Sequence, residues 1–342
     1  MSDPNPPPVP AASSPVQLGD HVRELAWSPD SAQIAAALAT GELVALEARA
    51  GLLARRWKAH DFGTLRVSWH PKEPFLLSGG EDGRVKVWDA REGQAVREDK
   101  MRGWVEHALW SPDGRFALAA AGKTLRVYDA QGATAFETSD HPSTIAAALW
   151  RADGNGFLTA CFERVRLFRL GEPRPYQDLR RKLSHIAAAW SANGRHLAVG
   201  SQEGSVTYWK LPADGRDPLT MSGYAHKVRS LCWDPTSRWL ATGGGELVTI
   251  WDVSGKGPAG TTPAQLKGHS ARVTALAYQR RGDLLASGGM GGDVWLWRPS
   301  RGAGGMKTAQ LEGEITALAW APDERSVAIG TAHGEFLRVP LA

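Results

Sequence analysis

An all-β fold is what this sequence predicts, and three observations carry it. First, a tryptophan returns at near-constant spacing: Trp27, Trp69, Trp110, Trp150, Trp190 and Trp233 share one place in the pattern Val-x-x-Leu-x-Trp-x-Pro, continued by Tyr278 and Trp320, at intervals of 40 to 45 residues. Second, the segments inside each interval are short and either alternate or run apolar, which is strand rather than helix patterning. Third, Gly, Asp and Pro residues punctuate those segments as turns. A unit of this length built from short strands cannot bury both faces alone, so copies must stack, which is the signature of propeller blades. Eight units are present, and the expectation is an eight-bladed β-propeller of four-stranded antiparallel blades.

The second unit shows the elements in order. Leu65-Arg66-Val67-Ser68-Trp69 alternates as a strand, His70 to Pro74 turns, and Phe75 to Gly79 is an apolar strand. Glu81-Asp82-Gly83 turns tightly, with Gly83 supplying the positive φ a short hairpin favours, and Val85 to Trp88 is a third strand. The turn after the first strand recurs as Ser28-Pro29-Asp30, Ser111-Pro112-Asp113-Gly114 and Ala321-Pro322-Asp323, where proline presets φ. A fourth, more polar strand such as Ala264-Gln265-Leu266 leads to the next unit and belongs on the outer edge.

Composition narrows the class. The chain has 342 residues, 42% hydrophobic and 22% charged, which excludes wholesale disorder. It has no apolar run of membrane-spanning length and no charged leader followed by an apolar stretch, so a cytoplasmic protein is expected. Cys161 and Cys232 sit in apolar strand-like runs without metal-ligand spacing and read as buried thiols. The ten histidines are spread among the units with no HExxH or paired ligand motif, so neither a metal nor a cofactor is expected. His107 and His185 fall on inner strands, where ligands from different blades can converge on the channel, but they read as ordinary channel-lining polar residues. The clusters Gly243 to Gly245, Gly288-Gly289 and Gly291-Gly292 mimic phosphate loops but precede neither a helix nor Lys-Ser/Thr, and they read as hairpin turns.

With these motifs in view, the chain resembles the WD-repeat β-propeller family over residues 14–342. The carrying residues are Trp88-Asp89, Trp251-Asp252, Gly268-His269, the shortened openings Ala59-His60 and Ala225-His226, and the run from Ser78 to Gly83. Leu46, Tyr128, Phe168 and Val339 stand where Trp88 does in the degenerate units. An Ala-, Arg- and Gly-rich composition resembles that of stand-alone bacterial members. The resemblance implies a buried structural tetrad, His60, Ser78, Asp82 and Trp88, rather than the hydrolase triad that His60, Ser78 and Asp82 would mimic. By the same correspondence the sixth unit keeps His226, Thr242 and Trp251 with a shortened turn. The seventh keeps His269, Ser287 and Trp297 with Gly291 at the acidic position. The eighth unit stops after its third strand, and Val16-Gln17-Leu18 reads like the strand that precedes each unit, so an N-terminal strand completing the last blade is expected. Deleting residues 1–19 should then destabilise the fold and deleting 1–12 should not. Residues 1–13, rich in proline, read as a disordered tail.

The resemblance also implies a non-enzymatic scaffold that binds proteins through its loop face. By position, that face would carry Trp104, Lys227, Arg229, Arg272 and Met290, with His21, Arg23, Met101 and His333 nearby. Trp104 lies outside the repeating tryptophan positions and either offers a hot spot or folds down over its own unit. Lys227, Arg229 and Arg272, from consecutive units, would form a basic arc for an acidic segment of a partner. An enzyme or small-ligand site at the channel mouth is the alternative. A third reading rests on charge: of the formal +4, the stretch 163–182 carries seven basic and three acidic residues, so it holds the whole excess. That strip either blunts an outer strand or docks RNA or an acidic partner, and with only Phe168 and Tyr176 interleaved, nucleic acid is disfavoured. A closed ring leaves no inner strand edge to pair, so a monomer is expected.

Overall fold

The computed structural model describes residues 14–49, 51–215, 217–255, 257–258, 260–302 and 304–341; the segment 1–13, expected as a tail, lies outside them. Among the described residues the only helical element is one 3-10 turn, Pro299–Arg301. Everything else regular is antiparallel strand. The second unit is typical: Thr64–Trp69, Phe75–Gly80, Arg84–Asp89 and Gln94–Lys100 form one sheet in chain order, from inner to outer edge. Its inner strands are buried or half-buried and its outer strand is nearly all exposed, as the polar sequence Gln-Ala-Val-Arg-Glu-Asp-Lys requires.

The expectation of eight four-stranded blades is corrected by the sheet topology. Hydrogen bonding groups the strands into seven sheets, six of four strands and one of six, so the propeller has seven blades by sheet count. The six-stranded sheet joins the fourth and fifth sequence units through one long strand, Gln177–Trp190. Its first half pairs with Gly156–Arg169 and its second half with His196–Ser201. The reason is chemical. Four other junctions carry a turn-forming glycine at positive φ, Gly19, Gly103, Gly223 and Gly313, and the third-to-fourth junction turns through Asp140-His141-Pro142. Arg180-Arg181-Lys182-Leu183-Ser184-His185 offers no turn residue and stays extended. Sequence units and sheets therefore differ in number by one.

The inner strands touch in ring order: Val22–Trp27, Thr64–Trp69, Val105–Trp110, Ala147–Trp150, Gln177–Trp190, Ser230–Trp233, Val273–Tyr278, Ile315–Trp320, and back to the first. At the other edge Val16 and Gln17 pair with Phe336 and Glu335, so the N-terminal strand is the outer strand of the last sheet. Most inner strands carry a bulge at the same place, as at Val22/Glu24 and Thr64/Arg66, which sharpens the local twist.

The core lies between sheets rather than within them. Ala35, Ala37 and Leu43 of the first unit pack with Val67, Leu76 and Trp88 of the second. Leu77 and Val85 pack with Val105, Ala117 and Ala119 of the third. Leu18, Val22 and Ile34 meet Ala317, Ala328 and Phe336 where the ring closes. The repeating tryptophans have a second role that their spacing does not announce. The indole N–H of Trp27 donates to the carbonyl of Ala319 at 2.8 Å, that of Trp150 to Leu109 at 3.1 Å, that of Trp233 to Ala189 at 3.0 Å, and that of Trp320 to Ala277 at 2.8 Å. Each ties an inner strand to the preceding one.

Candidate protein-docking face

The loop face is built from the loops opening each unit and the hairpins between its second and third strands. In several units a hairpin glycine holds the neighbouring loop down. In the first unit Gly41, at φ +86°, accepts from the amides of Ala59 and His60, both at 2.9 Å, and a Cβ there would meet the Phe62 carbonyl oxygen at 1.8 Å. Gly83, at φ +74°, accepts from the Met101 amide at 2.8 Å, and a Cβ there would lie 2.8 Å from the carbonyl oxygens of Met101 and Gly103. Only glycine fits these crossings. The loops carrying Phe62 and Trp104 are thereby fixed from below.

Under the Phe62 loop sits a buried polar chain. His60 Nδ1 is 2.9 Å from Asp82 Oδ1, His60 Nε2 is 2.8 Å from Ser78 Oγ, and the Trp88 indole N–H donates to that same oxygen at 2.8 Å. Asp82 also accepts from the amides of Asp61 and Arg84. Burial holds His60 below its ordinary pKa despite the neighbouring carboxylate. Burial alone would raise Asp82, but the Arg84 amide and His60 outweigh it and the carboxyl stays below the usual range. The distances resemble a hydrolase triad, yet Ser78 is fully buried and its oxygen already accepts from Trp88. No substrate carbonyl can reach it.

Two other units build this network differently from the sequence correspondence. In the sixth, Tyr224 takes the place expected of His226: its hydroxyl contacts Thr242 Oγ1 at 2.7 Å and accepts from the Trp251 indole at 2.9 Å, while His226 is exposed. The signal was available, since Tyr224 precedes Thr242 by the same 18 residues that separate His60 from Ser78. In the seventh, the acid at Gly291 is missing from the turn but Asp293 supplies it from the third strand, 2.6 Å from His269 Nδ1, with Ser287 2.6 Å from Nε2.

The expected docking residues divide into two groups. Trp104 stands free at 56% exposure, in the loop before Val105–Trp110. It does not fold over the third unit. Met290, 51% exposed, lies on the seventh unit's hairpin, where its amide donates to the Arg272 carbonyl at 2.8 Å. Arg229 is exposed, Lys227 and Arg272 are half-buried, and all three open neighbouring units. In ring order the fourth and fifth units stand between Trp104 and this basic group. His21 is half-buried, Arg23 and His333 are exposed, and Met101 is buried against the third unit.

Two apolar residues were missed. Phe62, 66% exposed, follows the His60 opening, and Phe162, 48% exposed, sits at the fourth unit's hairpin tip where others place Gly or an acid. Four of the seven exposed large hydrophobics among the described residues, Phe62, Trp104, Phe162 and Met290, are on this one face. Phe62, Trp104 and Phe162 belong to the second, third and fourth units and follow one another around the ring.

Inner-strand histidines offer no ligand set. His107 Nε2 lies 3.2 Å from the Ile145 carbonyl, and burial pushes the ring down to about 3. His185 is buried with neither ring nitrogen partnered and is pushed down to about 4. Among the described residues no group of three or more His, Cys, Asp or Glu is placed to hold a metal ion, and no helix is long and apolar enough to cross a membrane.

Comparison with known proteins matches part of the chain to one repeat family. Segments 51–89, 178–210, 217–252 and 260–298 match the model of the WD domain, G-beta repeat. These are the units whose third strand carries Trp88, Trp209, Trp251 and Trp297; the units carrying Leu46, Tyr128, Phe168 and Val339 are left unmatched. The chain is similar to intraflagellar transport protein 80 homolog of Mus musculus, 31% identical over 32% of this chain and 14% of that protein. It is also similar to cell division cycle 20.1, cofactor of APC complex, of Arabidopsis thaliana, 30% identical over 42% of this chain and 32% of that protein. A third relative, THO complex subunit 3 of Arabidopsis thaliana, is 29% identical over 33% of this chain and 36% of that protein. The matched stretch thus spans about a third of these relatives or less. All three are eukaryotic, so they lend nothing to the bacterial affinity expected from composition. The crystal structure of the computationally designed Ika8 protein superimposes with a TM-score of 0.82 over 95% of this chain and 98% of that chain at 20% identity, a likeness of fold.

Proposed function

We propose that this chain, a WD40-repeat propeller, is a non-enzymatic platform that binds protein partners through its loop face. One observation carries the reading: most of its exposed large apolar side chains lie on that face, three of them on successive units, above loops anchored by glycines and a buried polar network. Exposed aromatic anchors on a rigid support are what a protein interface uses to gain affinity at small entropic cost. The basic group Lys227, Arg229 and Arg272 would steer an acidic segment of the same partner from the far side of the ring. The named relatives include a cofactor of one complex and a subunit of another, which suits an assembly role. A monomer in the cytoplasm fits the design, since charged outer strands such as Gln94–Lys100 resist edge pairing and Cys161 and Cys232 are free thiols.

The test is a pull-down from a cognate lysate with the intact protein beside a Phe62→Ser/Trp104→Ala variant and an Arg229→Glu/Arg272→Glu variant. A Leu52→Ser/Val96→Ser control removes equally exposed apolar groups from the outer edge. A partner lost with the loop-face variants and kept by the control supports the platform. Partners lost only with the edge control would move the interface elsewhere, and turnover or a stoichiometric small ligand in the purified protein would replace the platform with a channel site.

A further inference from the structure

Where the fourth and fifth units merge, the sheet leaves a pocket of about 520 Å³ lined by Glu163, Arg164, Arg180, Arg181, Lys182 and Leu183. Four cations thus face one carboxylate. Arg164 and Arg180 are direct cross-strand partners, an arrangement in which like charges repel. The acids nearby relieve it only on the Arg164 side. Asp178 is shared, 2.5 Å from Arg164 and 3.7 Å from Arg166, and Asp140 is taken by Arg166 at 2.7 Å. Arg181 is oriented by Thr220 Oγ1 at 3.1 Å. Arg180 and Lys182 are exposed and, among the described residues, make no ion pair. A strand that only needed to resist edge pairing would not require its arginines to converge on a cavity.

We propose that this pocket binds the phosphate monoester of a phosphorylated peptide, with Arg164 and Arg180 as the fork and Lys182 as the third cation. A phosphoryl group carries close to two negative charges and three acceptor oxygens, which two guanidiniums and an ammonium satisfy better than a single carboxylate would. Leu183 in the wall and the exposed ring of Phe162 beside the hairpin tip give the peptide an apolar contact next to the charge. Glu163 stands at the same mouth and disfavours purely electrostatic, promiscuous capture. RNA fits less well, because stacking platforms are missing: the Tyr176 ring is covered by the Arg169 guanidinium at 4.5 Å, and Phe162 is left alone. This site borders the loop face at Phe162 but includes neither Trp104 nor the basic group Lys227, Arg229 and Arg272.

The experiment measures retention of the intact protein on an immobilised degenerate phosphoserine peptide library, on its unphosphorylated counterpart, and on oligouridine. The expected result is selective retention on the phosphorylated library, competed by phenyl phosphate and reduced by at least about tenfold in Arg180→Glu/Lys182→Glu. Trp104→Ala should leave it unchanged, which separates this site from the docking surface around Trp104. Matching thermal melts establish that both variants are folded. Equal retention on the two libraries, indifference to the charge reversal, or stronger retention on oligouridine would overturn the proposal.

Discussion

The second unit and the merged fourth and fifth units place similar polar residues in opposite circumstances. In the second, His60, Ser78, Asp82 and Trp88 satisfy one another, and the loop above them turns on a glycine. In the merged sheet, the position 18 residues before Ser201 is Leu183, so no histidine meets that serine, which contacts Ser205 at 2.9 Å instead. The nearest histidine, His185, occupies the place that Val22, Val105 and Val228 fill in other units and is buried without a partner for either ring nitrogen. The second unit is held by a polar network that fixes a loop; the fourth keeps part of it, His141 Nε2 lying 2.9 Å from Thr159 Oγ1, and the fifth dispenses with both loop and network and is held by a continuous strand. A buried polar group is costly where it lacks a partner, as His185 does, and is tolerated where its neighbours satisfy it.

The comparison breaks most visibly at His60. His60→Ala strands Ser78 and a buried Asp82, and should lower unfolding free energy by about 2–4 kcal/mol in a denaturant titration. A loss indistinguishable from zero would mean the network is decorative. Acidification next probes the buried inner-strand histidines, His107 of the third unit and His185 of the merged sheet. His107, at about 3, and His185, at about 4, take up protons more readily once unfolded, so their contribution is present above the unfolded value near 6.5 and is lost as pH falls. Each should cost about 2 kcal/mol of stability by pH 5, read as a falling melting temperature, and the slope should flatten in His185→Val.

His185→Val also sharpens the contrast at neutral pH. It removes an unsatisfied group and installs the residue other units use, so it should be neutral or stabilise by about 1 kcal/mol, opposite in sign to His60→Ala. Destabilisation beyond that figure would point to an undetected partner for the ring. The smallest effect concerns the repeating tryptophans. Trp27→Phe breaks the bond to Ala319 across the ring closure, whereas the Trp110 indole N–H is buried with no acceptor. The first should therefore cost about 0.5–1.5 kcal/mol more than Trp110→Phe, a difference that paired melts can resolve.

Much of the second unit was legible because its signals are local: the Ser78 to Gly83 run, Trp88-Asp89, and a histidine 18 residues ahead of the serine. The sixth and seventh units show the limit. Tyr224 replaces a histidine by reaching the same Thr242 with a longer side chain, and Asp293 reaches His269 from a strand rather than from the turn. Both keep the contact and change its address, which a position-by-position correspondence does not see. Phe62 and Phe162 escaped for another reason, since an apolar residue in a loop declares nothing until its burial is known.

What the sequence determined by itself was the unit: the strand lengths, the turns, the outer polarity and the periodic tryptophan all follow from backbone and solvation preferences acting within a few residues. Tertiary structure alone decided how units divide into sheets, because whether Gln177–Trp190 breaks depends on hydrogen bonds offered by both neighbouring strands. It alone decided that the Trp27 indole meets Ala319, almost a full circuit away in the chain. It also decided which apolar and cationic side chains remain uncovered, since exposure is a property of what packs beside a residue and not of the residue.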